Sequence, residues 1–229
     1  MSMGFRVFSE PDARVAASVV AEFRAEELPV ANVADAIWRF GVLCGGIQPV
    51  AAGSRYLAGT ALTVRTRPTD NLMIHKAMEL AHPGDVIVVE AGGAGHHALL
   101  GELMCQYAAR REIAGFVVDG PVRDGMEITD LGLPVYARGR TPRGPYKDGP
   151  GEINVPISCG GVAVLPGDLI LADVEGVIAI PRGDAESVLD QSLQVRDAEA
   201  GFREQIAVDG WDRAWIDTKL DEKGCEIVR

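Results

Sequence analysis

The strongest constraint on the fold comes from ten residues near the middle of the chain, Gly115-Phe-Val-Val-Asp-Gly-Pro-Val-Arg-Asp124. The apolar run Phe116–Val118 is typical of a buried strand, and it ends abruptly in a Gly-Pro turn. Two opposite charges, Arg123 and Asp124, follow side by side. Such charges beside a buried strand are unfavourable unless they meet water or a ligand. Because guanidinium groups bind carboxylates and carboxylates bind hard cations, the segment predicts a site for a small anion chelated by a metal ion.

The charge balance argues against nucleic acid and membranes as partners. The 229 residues include 22 Lys and Arg against 33 Asp and Glu, a net charge of −11, and such a surface repels polyanions. No apolar run approaches the roughly 20 residues of a membrane-spanning helix, and the first ten residues lack a continuous apolar signal region. Four cysteines lie far apart without metal-ligand spacing, so we expect reduced thiols and a cytoplasmic protein.

Hydrophobic periodicity predicts an α/β protein in which strands and helices alternate. The predicted helices cover residues 11–25, 32–41 (with Asn32 as N-cap), 71–81, 98–113 and 184–207. The predicted strands cover residues 58–67, 86–89, 115–118 and two runs within 162–181 that form a hairpin or a bent strand pair. On the fourth helix, the residues expected to share one apolar face are Leu99, Leu103, Tyr107 and Ala108.

This pattern divides the chain into two parts. Residues 1–183 are interpreted as a single α/β core domain that includes the N-terminal helices, and residues 184–229 as a C-terminal helical extension. Trp211 and Trp215 stand in an otherwise polar tail. They predict that the extension packs on the core of the same chain or on a neighbouring subunit.

A glycine-rich turn, Ala91–Gly95, is expected to feed the helix that begins near Ala98. Helix amino termini offer free N–H groups and a positive dipole end, so the amides around Gly101-Glu-Leu-Met104 are candidates for binding a carboxylate. Gly101 either admits the ligand or lets two elements pack closely. Glu102 is a solvated residue unless Arg123 and Asp124 fold beside it. The neighbouring His96 and His97 lack zinc-ligand spacing and are expected in a loop.

Several phrases resemble the RraA-like family, which includes metal-dependent pyruvate aldolases and a protein regulator of ribonuclease E activity. The similarity covers roughly residues 28–182 in the family's order. The matching phrases are Asn32-Val-Ala-Asp35, His82-Pro-Gly-Asp85, Gly101-Glu-Leu-Met104, Gly115 to Asp124, and Gly161 to Asp173. The resemblance implies an α/β fold, an α-β-β-α sandwich related to swivelling domains. It also implies a homo-oligomer, a trimer or dimer of trimers, with active sites between subunits.

The resemblance further implies roles for particular residues. The amides of Gly101, Glu102, Leu103 and Met104 would bind the carboxylate of a small 2-oxo acid. Arg123 would bind the same substrate, and Asp124 would ligate a divalent cation, Mg²⁺ or Mn²⁺. The Glu102 carboxylate would order water near that cation. A glutamate from the neighbouring subunit's C-terminal helix would complete the site, and Glu199 is the best match, with Glu204 as the alternative.

The implied reaction is cleavage of a 4-hydroxy-2-oxo acid, such as 4-hydroxy-4-methyl-2-oxoglutarate, to pyruvate and a second carbonyl product. Decarboxylation of oxaloacetate is expected as a side activity because it leaves the same electron-rich fragment. A non-enzymatic regulator of ribonuclease E that acts by protein binding shares the fold and remains the alternative. A methyltransferase is disfavoured because the chain lacks a glycine-rich methyl-donor motif.

Substrate preference beyond the pyruvyl half is left open by the sequence. The loop that contains Arg138, Arg140, Arg143, Tyr146 and Lys147 is basic and rich in Gly and Pro. It either meets a second carboxylate of the substrate or serves as a solvated linker.

Overall fold

The computed structural model describes residues 4–50, 56–93, 95–208, 210–226 and 228. The strands are β1 (Phe5–Val7), β2 (Gln48–Pro49), β3 (Leu57–Thr66), β4 (Asp85–Glu90), β5 (Gly115–Asp119), β6 (Val135–Ala137), β7 (Gly151–Ile153), β8 (Ile157–Cys159), β9 (Val162–Val164), β10 (Leu169–Asp173) and β11 (Gly176–Ile180). The helices are α1 (Ala17–Glu26), α2 (Val30–Ala36), α3 (Leu72–Leu80), α4 (Glu102–Arg110), α5 (Gly125–Leu131), α6 (Ala185–Ala207) and α7 (Ala214–Glu222).

Four adjacent parallel strands, β3-β4-β5-β6, form the centre of a mixed sheet. Both faces of β5 are covered, and Phe116–Val118 are fully buried, as the continuous apolar run predicts. The antiparallel hairpin β10-β11 extends the sheet beside the first half of β3, and β7 pairs with its second half. Because β3 to β6 are parallel, their carboxyl ends meet at one edge, where open α/β sheets bind ligands.

The sheet separates apolar layers. Alternate residues of the central strands, such as Leu62 and Ile87, face helices α3 to α5. Their neighbours, such as Ala61 and Val88, face the second, two-stranded sheet β8-β9. A third cluster packs α1, α2 and the first turns of α6 on β10-β11. The predicted α/β class is therefore confirmed, and within the described chain no helix is long and apolar enough to cross a membrane.

The C-terminal extension packs on the core only in its first half. Val188 and Leu189 of α6 are buried, whereas Phe202 is about half exposed. Phe202 contacts Trp211 with ring centroids 6.4 Å apart. Helix α7 buries none of its side chains, and Trp215 is exposed. Docking of this end of the chain on a neighbouring subunit stays a prediction.

Three predicted helices begin elsewhere in the structure. The first starts at Ala17, because the preceding residues are extended and Val15 donates its N–H to Gly167 O at 2.9 Å. The second starts at Val30 after Pro29, so Asn32 is a buried helix residue and the prediction that it caps the helix was wrong. The fourth, α4, starts at Glu102 and not near Ala98, since residues 98–100 form a buried segment without regular secondary structure.

The apolar face predicted for α4 was wrong for Leu103 and Tyr107 and right for Ala108. Leu103 and Tyr107 are exposed, while Met104, Cys105 and Ala108 face the core. The helix therefore presents Leu103 to solvent beside the carboxyl edge of the sheet.

Candidate active site

A cleft of about 180 Å³ lies at the carboxyl edge of the sheet. One wall is the segment after β4 that leads into α4, and another is Arg123 after β5. Helix α3 and the loop before β7 complete it. The lining residues are Asn71, His75, Ala98, Leu100, Gly101, Leu103, Met104, Arg123, Pro145 and Lys147.

The turn after β5 is held by Asp119, which is buried at the end of the strand. Its Oδ2 accepts the N–H of Gly160 at 3.0 Å, and its Oδ1 is paired with the guanidinium of Arg138. Both oxygens of this carboxylate therefore have structural partners. It fixes the direction in which the chain leaves the strand towards Arg123 and Asp124.

The structure brings Glu102, Arg123 and Asp124 together. Arg123 donates its backbone N–H to Leu100 O at 3.0 Å, which ties the two loops. Asp124 caps α5 with a left-handed backbone (φ 59°). Its Oδ2 accepts the N–H of Glu102 at 3.1 Å and lies 3.3 Å from Nε of Arg123. The positively charged nitrogens at the tip of Arg123 have no carboxylate partner within the described residues, so they can bind an anion in the cleft.

Gly101 makes this close approach possible. A Cβ at this position would lie 2.6 Å from Asp124 Oδ2 and 3.0 Å from Arg123 Nε, closer than side-chain carbons normally come. Its φ of −153° is ordinary extended backbone, so lack of bulk rather than conformational freedom explains the glycine. Of the two roles left open by the sequence, the structure shows tight packing against Arg123 and Asp124.

The first turn of α4 offers two backbone donors. A helix leaves its first N–H groups without intrahelical partners, and the N–H of Glu102 is taken by Asp124. In the described parts of the chain the amides of Leu103 and Met104 have no acceptor, and both residues line the cleft. Together with the positive dipole end, they suit a carboxylate.

A divalent cation would depend on Asp124 and few other protein ligands. No cluster of three His, Cys, Asp or Glu side chains capable of holding a metal exists among the described residues. The second oxygen of Asp124 has no protein partner in this part of the chain, and the side chain is 36% exposed. Glu102, which begins α4 beside it, accepts a hydrogen bond from Gln106 at 2.7 Å. One carboxylate with water and substrate oxygens is a set that Mg²⁺ accepts, so these residues fit the ion.

Helix α3 and the N-cap residue before it contribute two polar residues that the sequence analysis missed. Asn71 is buried, and its amide group donates to Leu99 O at 3.0 Å, while its Oδ1 is buried without a partner among the described residues. The pKa of His75 is lowered by burial and, to a smaller extent, by the positive charge of Lys147. Their spacing of one helical turn is visible in the sequence, but nothing there shows which side of α3 meets the cleft.

The basic loop is ordered by contacts along its length. Arg143 O accepts the N–H of Ala98 at 2.7 Å, and Arg138 is committed to Asp119 and to Cys44 Sγ. Lys147 reaches the cleft. Pro145 and Lys147 therefore form a wall of the cleft, whereas Arg140, Arg143 and Tyr146 are exposed to solvent. Binding of a second carboxylate by this loop stays a prediction. The glycine-rich turn after β4 is separated from α4 by residues 98–100, which corrects the expectation that it leads directly into the helix; Ala94 lies outside the described residues.

Two sets of residues lie away from the cleft lining. Glu199 and Glu204 are on α6, which packs against α1 and α2, and Glu199 pairs with Arg203 at 2.9 Å. Within one chain the structure does not bring either glutamate to Asp124, so a contribution from a neighbouring subunit stays a prediction. The loop position expected for His96 and His97 is confirmed. The ring of His97 packs against that of Tyr146, with the ring centroids 5.2 Å apart.

Comparisons with known proteins show which family this chain belongs to. A model of the RraA-like family, described as Aldolase/RraA, matches residues 30–179. A relative from Halalkalibacterium halodurans, provisionally named as a 4-hydroxy-4-methyl-2-oxoglutarate aldolase, is 40% identical over 83% of this chain and 89% of its own length. A protein from Thermus thermophilus, named as the same aldolase, is 37% identical over 57% of this chain and 79% of its own length.

A solved structure shows the same fold. It is that of Streptomyces coelicolor RraAS2, described as an unusual member of the RNase ES inhibitor RraA protein family. It matches with a TM-score of 0.75 at 29% identity and covers 84% of this chain and 99% of that one. The similarity confirms the fold that the sequence resemblance implies, an α/β sandwich of the RraA type followed by a C-terminal helix.

Proposed function

This chain belongs to the RraA-like family, and from that premise we propose that it is a divalent-metal-dependent aldolase that cleaves a 4-hydroxy-2-oxo acid, such as 4-hydroxy-4-methyl-2-oxoglutarate, to pyruvate and a second carbonyl product. One observation carries the proposal. Arg123 and the free amides of α4 line one cleft, and the Asp124 carboxylate lies directly beside this lining, 3.1 Å from Glu102 N and 3.3 Å from Arg123 Nε.

The substrate's pyruvyl end is held by charge and by backbone donors. The amides of Leu103 and Met104 donate to its carboxylate, and the helix dipole of α4 adds to the attraction. Arg123 contributes a fixed positive charge, and among the described residues its one ion-pair partner is Asp124. Orientation by these groups places the 2-oxo oxygen towards Asp124, which lowers the entropic part of the barrier.

The bond between C3 and C4 breaks, and its electron pair passes to the pyruvyl fragment, which then takes a proton at C3. Mg²⁺ or Mn²⁺ held by Asp124 would supply Lewis-acid stabilisation of the 2-oxo group. Arg123 stabilises the growing negative charge more than it stabilises the substrate, and only such differential binding speeds the chemical step. Loss of CO₂ from oxaloacetate leaves the same fragment, so decarboxylation follows as a side activity.

Cleavage also requires a group that removes the proton of the C4 hydroxyl. Glu102 is the acidic residue in the first turn of α4, and its backbone N–H contacts Asp124, so its carboxylate is the first candidate. Glu199 of a neighbouring subunit is the second candidate, in a trimer or a dimer of trimers. Removal of the hydroxyl proton by either carboxylate would be ordinary general base catalysis.

Pyruvate release from purified protein tests the reaction. We expect Arg123→Ala and Asp124→Ala to lower the rate at least about a hundredfold, the usual size of losing a transition-state contact. Asp130→Ala, an exposed acid on α5 away from the cleft lining, is the matched control. Full activity in both site variants would refute the site, and lack of pyruvate from any 4-hydroxy-2-oxo acid or oxaloacetate would refute the reaction.

The second candidate function is regulation of a ribonuclease by protein binding, and the similarity to the Streptomyces coelicolor protein favours it. It requires no turnover and no metal. The test compares inhibition of ribonuclease E by the Asp124→Ala variant and by the unchanged protein. Equally strong inhibition by the two, with no pyruvate released by either, would support this function in place of the aldolase.

A further inference from the structure

One histidine lies in the wall that α3 contributes to the cleft. His75 stands one helical turn after Asn71, and its backbone N–H donates to Asn71 O at 3.1 Å. The half-buried side chain lines the cleft and also an adjoining groove between α3 and α4. Because the cleft is only about 180 Å³ in volume, a guest held by the amides of Leu103 and Met104 also meets this ring.

The ring nitrogens of His75 are free to take part in chemistry. Neither has a hydrogen-bond or ion-pair partner in the described chain, and neither is sealed from solvent. The lining of the cleft contains no Asp or Glu, and the nearby Glu102 carboxylate accepts a hydrogen bond from Gln106. Among the described residues of the lining, His75 is therefore the one side chain suited to accept and release a proton near neutral pH.

The surroundings of the ring favour its neutral form. Burial lowers the pKa of His75 below the usual 6.5, and the positive charge of Lys147 lowers it further. Glu79, one turn along α3, acts in the opposite direction, but an ion pair of 2.7 Å on the same helix neutralises it. The other ionisable groups of the cleft and the groove, Arg123 and Tyr107, add no negative charge. A neutral imidazole can accept a proton, and a ring with a lowered pKa releases it readily.

A buried carboxylate, Asp70, fixes the position of the Lys147 charge. Asp70 is fully buried, and its Oδ2 accepts the backbone N–H groups of Asp148 at 2.7 Å and Gly149 at 2.9 Å. Its Oδ1 accepts the N–H of the first residue of α3 at 2.9 Å. These bonds attach the 144–149 loop to the helix that carries the histidine. Since such charge-assisted bonds are among the stronger ones in proteins, the loop is fixed before a ligand arrives.

We propose that His75 is a catalytic residue that carries the proton of the reaction, taking it from the C4 hydroxyl and returning it to C3 of the pyruvyl fragment. The inference rests on the proposed function and deepens it. It assigns to His75 the proton that Glu102 or Glu199 would otherwise take.

The proton balance of the cleavage closes on this one side chain. A nitrogen of the neutral ring accepts the hydroxyl proton, and the electrons of the broken O–H bond form the C4 carbonyl. The C3–C4 bond breaks, and its electron pair stays on the pyruvyl fragment. The imidazolium then gives its proton to C3, which leaves the ring neutral again. Because the hydroxyl oxygen and C3 are bonded to the same carbon atom, C4, one ring can serve both.

Comparison of two reactions in one variant tests the assignment. Cleavage of 4-hydroxy-4-methyl-2-oxoglutarate requires removal of a hydroxyl proton, whereas decarboxylation of oxaloacetate does not. His75→Gln should therefore lower kcat for cleavage at least about a hundredfold, the usual size of losing a general base, and kcat for decarboxylation less than about tenfold. Its affinity for pyruvate, measured by isothermal calorimetry in magnesium chloride, should stay within about threefold. His96→Gln, which changes an exposed loop histidine outside the lining, is the matched control and should behave as the unchanged protein.

The pH profile of cleavage gives a readout that a structural role would not move. In the unchanged protein, kcat/KM should fall at acid pH, below about 6.5, as the ring takes up a proton. Lys147→Met removes a charge that lowers the pKa of His75, so the fall should begin at a higher pH, whereas Lys147→Arg should leave it in place. Lys219→Met, which removes an exposed lysine of α7, is the control. The residual cleavage by His75→Gln should lack the acid fall.

Several results would overturn the role of His75. Equal loss of both activities in His75→Gln, or a loss of pyruvate affinity as large as the loss of rate, would show that the residue is only structural. A selective loss of cleavage in Glu102→Gln, with full cleavage by His75→Gln, would return the proton to Glu102. An acid fall that Lys147→Met leaves in place would also contradict the proposal. If the unchanged protein released pyruvate from neither compound, the proposed function itself would be refuted, a result separate from any property of the variants.

Discussion

Asp124 accepts the backbone N–H of Glu102 at 3.1 Å, a hydrogen bond that joins two helix starts 22 residues apart in the chain. It orients the carboxylate so that one oxygen is bound to α4 and the other is free of protein partners in the described residues. The same contact brings Arg123 beside the two free amides. In the proposed function, recognition of the substrate's carboxylate and binding of a cation would therefore be coupled through one side chain.

Gly101→Ala is predicted to disturb this contact without unfolding the protein. The new methyl group would meet the Asp124 carboxylate at 2.6 Å, so the carboxylate must turn away. We expect pyruvate release to fall at least about tenfold, because small displacements of catalytic groups are costly. Gly183→Ala, where a Cβ meets open space, is the control. A Gly101→Ala enzyme that keeps the original rate would contradict the packing role of Gly101.

Chelation and borohydride treatment distinguish two kinds of aldolase chemistry. The cleft contains one lysine, Lys147, and a Schiff-base enzyme would use it as a nucleophile. We expect EDTA to abolish pyruvate release, Mg²⁺ or Mn²⁺ to restore it, and sodium borohydride with substrate to leave the activity unchanged. Inactivation by borohydride, with a reduced adduct on Lys147 in a peptide mass spectrum, would refute the metal route.

Stability should depend on pH through His75. Burial and the Lys147 charge lower its pKa in the folded chain below the usual 6.5, so the unfolded chain binds the proton more readily. The neutral ring therefore contributes its full share of the free energy of unfolding above about pH 6.5, and this share is lost as the pH falls towards the lowered pKa. Urea unfolding at pH 5 to 8 should show a smaller loss of stability at acid pH for His75→Gln than for the unchanged protein. If the free energy of unfolding changes with pH in the same way for both proteins, the role of His75 is contradicted.

The cysteines should react in two classes. Cys44 and Cys225 are exposed, whereas Cys105 and Cys159 are buried. Burial raises the pKa of the Cys105 thiol to about 12 and that of Cys159 well above its ordinary value. Since the thiolate is the reactive form, iodoacetamide at pH 8 should label the first pair in the native protein and the second pair only after unfolding. Peptide mass spectrometry reads the sites, and native labelling of Cys105 would show that the core around α4 opens.

Much of the central sheet could be predicted from the sequence. The run Phe116–Val118 is buried on both faces, and continuous apolar strands of this kind have no other stable location. The hairpin of β10 and β11 could be predicted as well, because a turn at Val174 and Glu175 separates two apolar runs. Each of these elements is determined by its own local pattern.

The site was harder to predict because it depends on which surfaces meet. Leu103 and Met104 are both apolar neighbours on α4, and only the packed sheet shows that Met104 faces the core while Leu103 does not. Asn71 and His75 carry no local signal for the cleft, since it arises when α3 packs beside the loop before β7. Glu199 lies on a helix whose partners in this chain are α1 and α2, so the sequence resemblance remains its sole link to the cleft.

The attachment of the 144–149 loop to Asp70 has a consequence for how the family can diversify. The residues proposed to cleave the bond lie on segments that follow β4 and β5, whereas the far wall is anchored independently at the start of α3. Replacing side chains in that loop would change which acids fit while the reacting end stays intact. New substrates could then be acquired by altering a few residues of one loop, without rebuilding the catalyst.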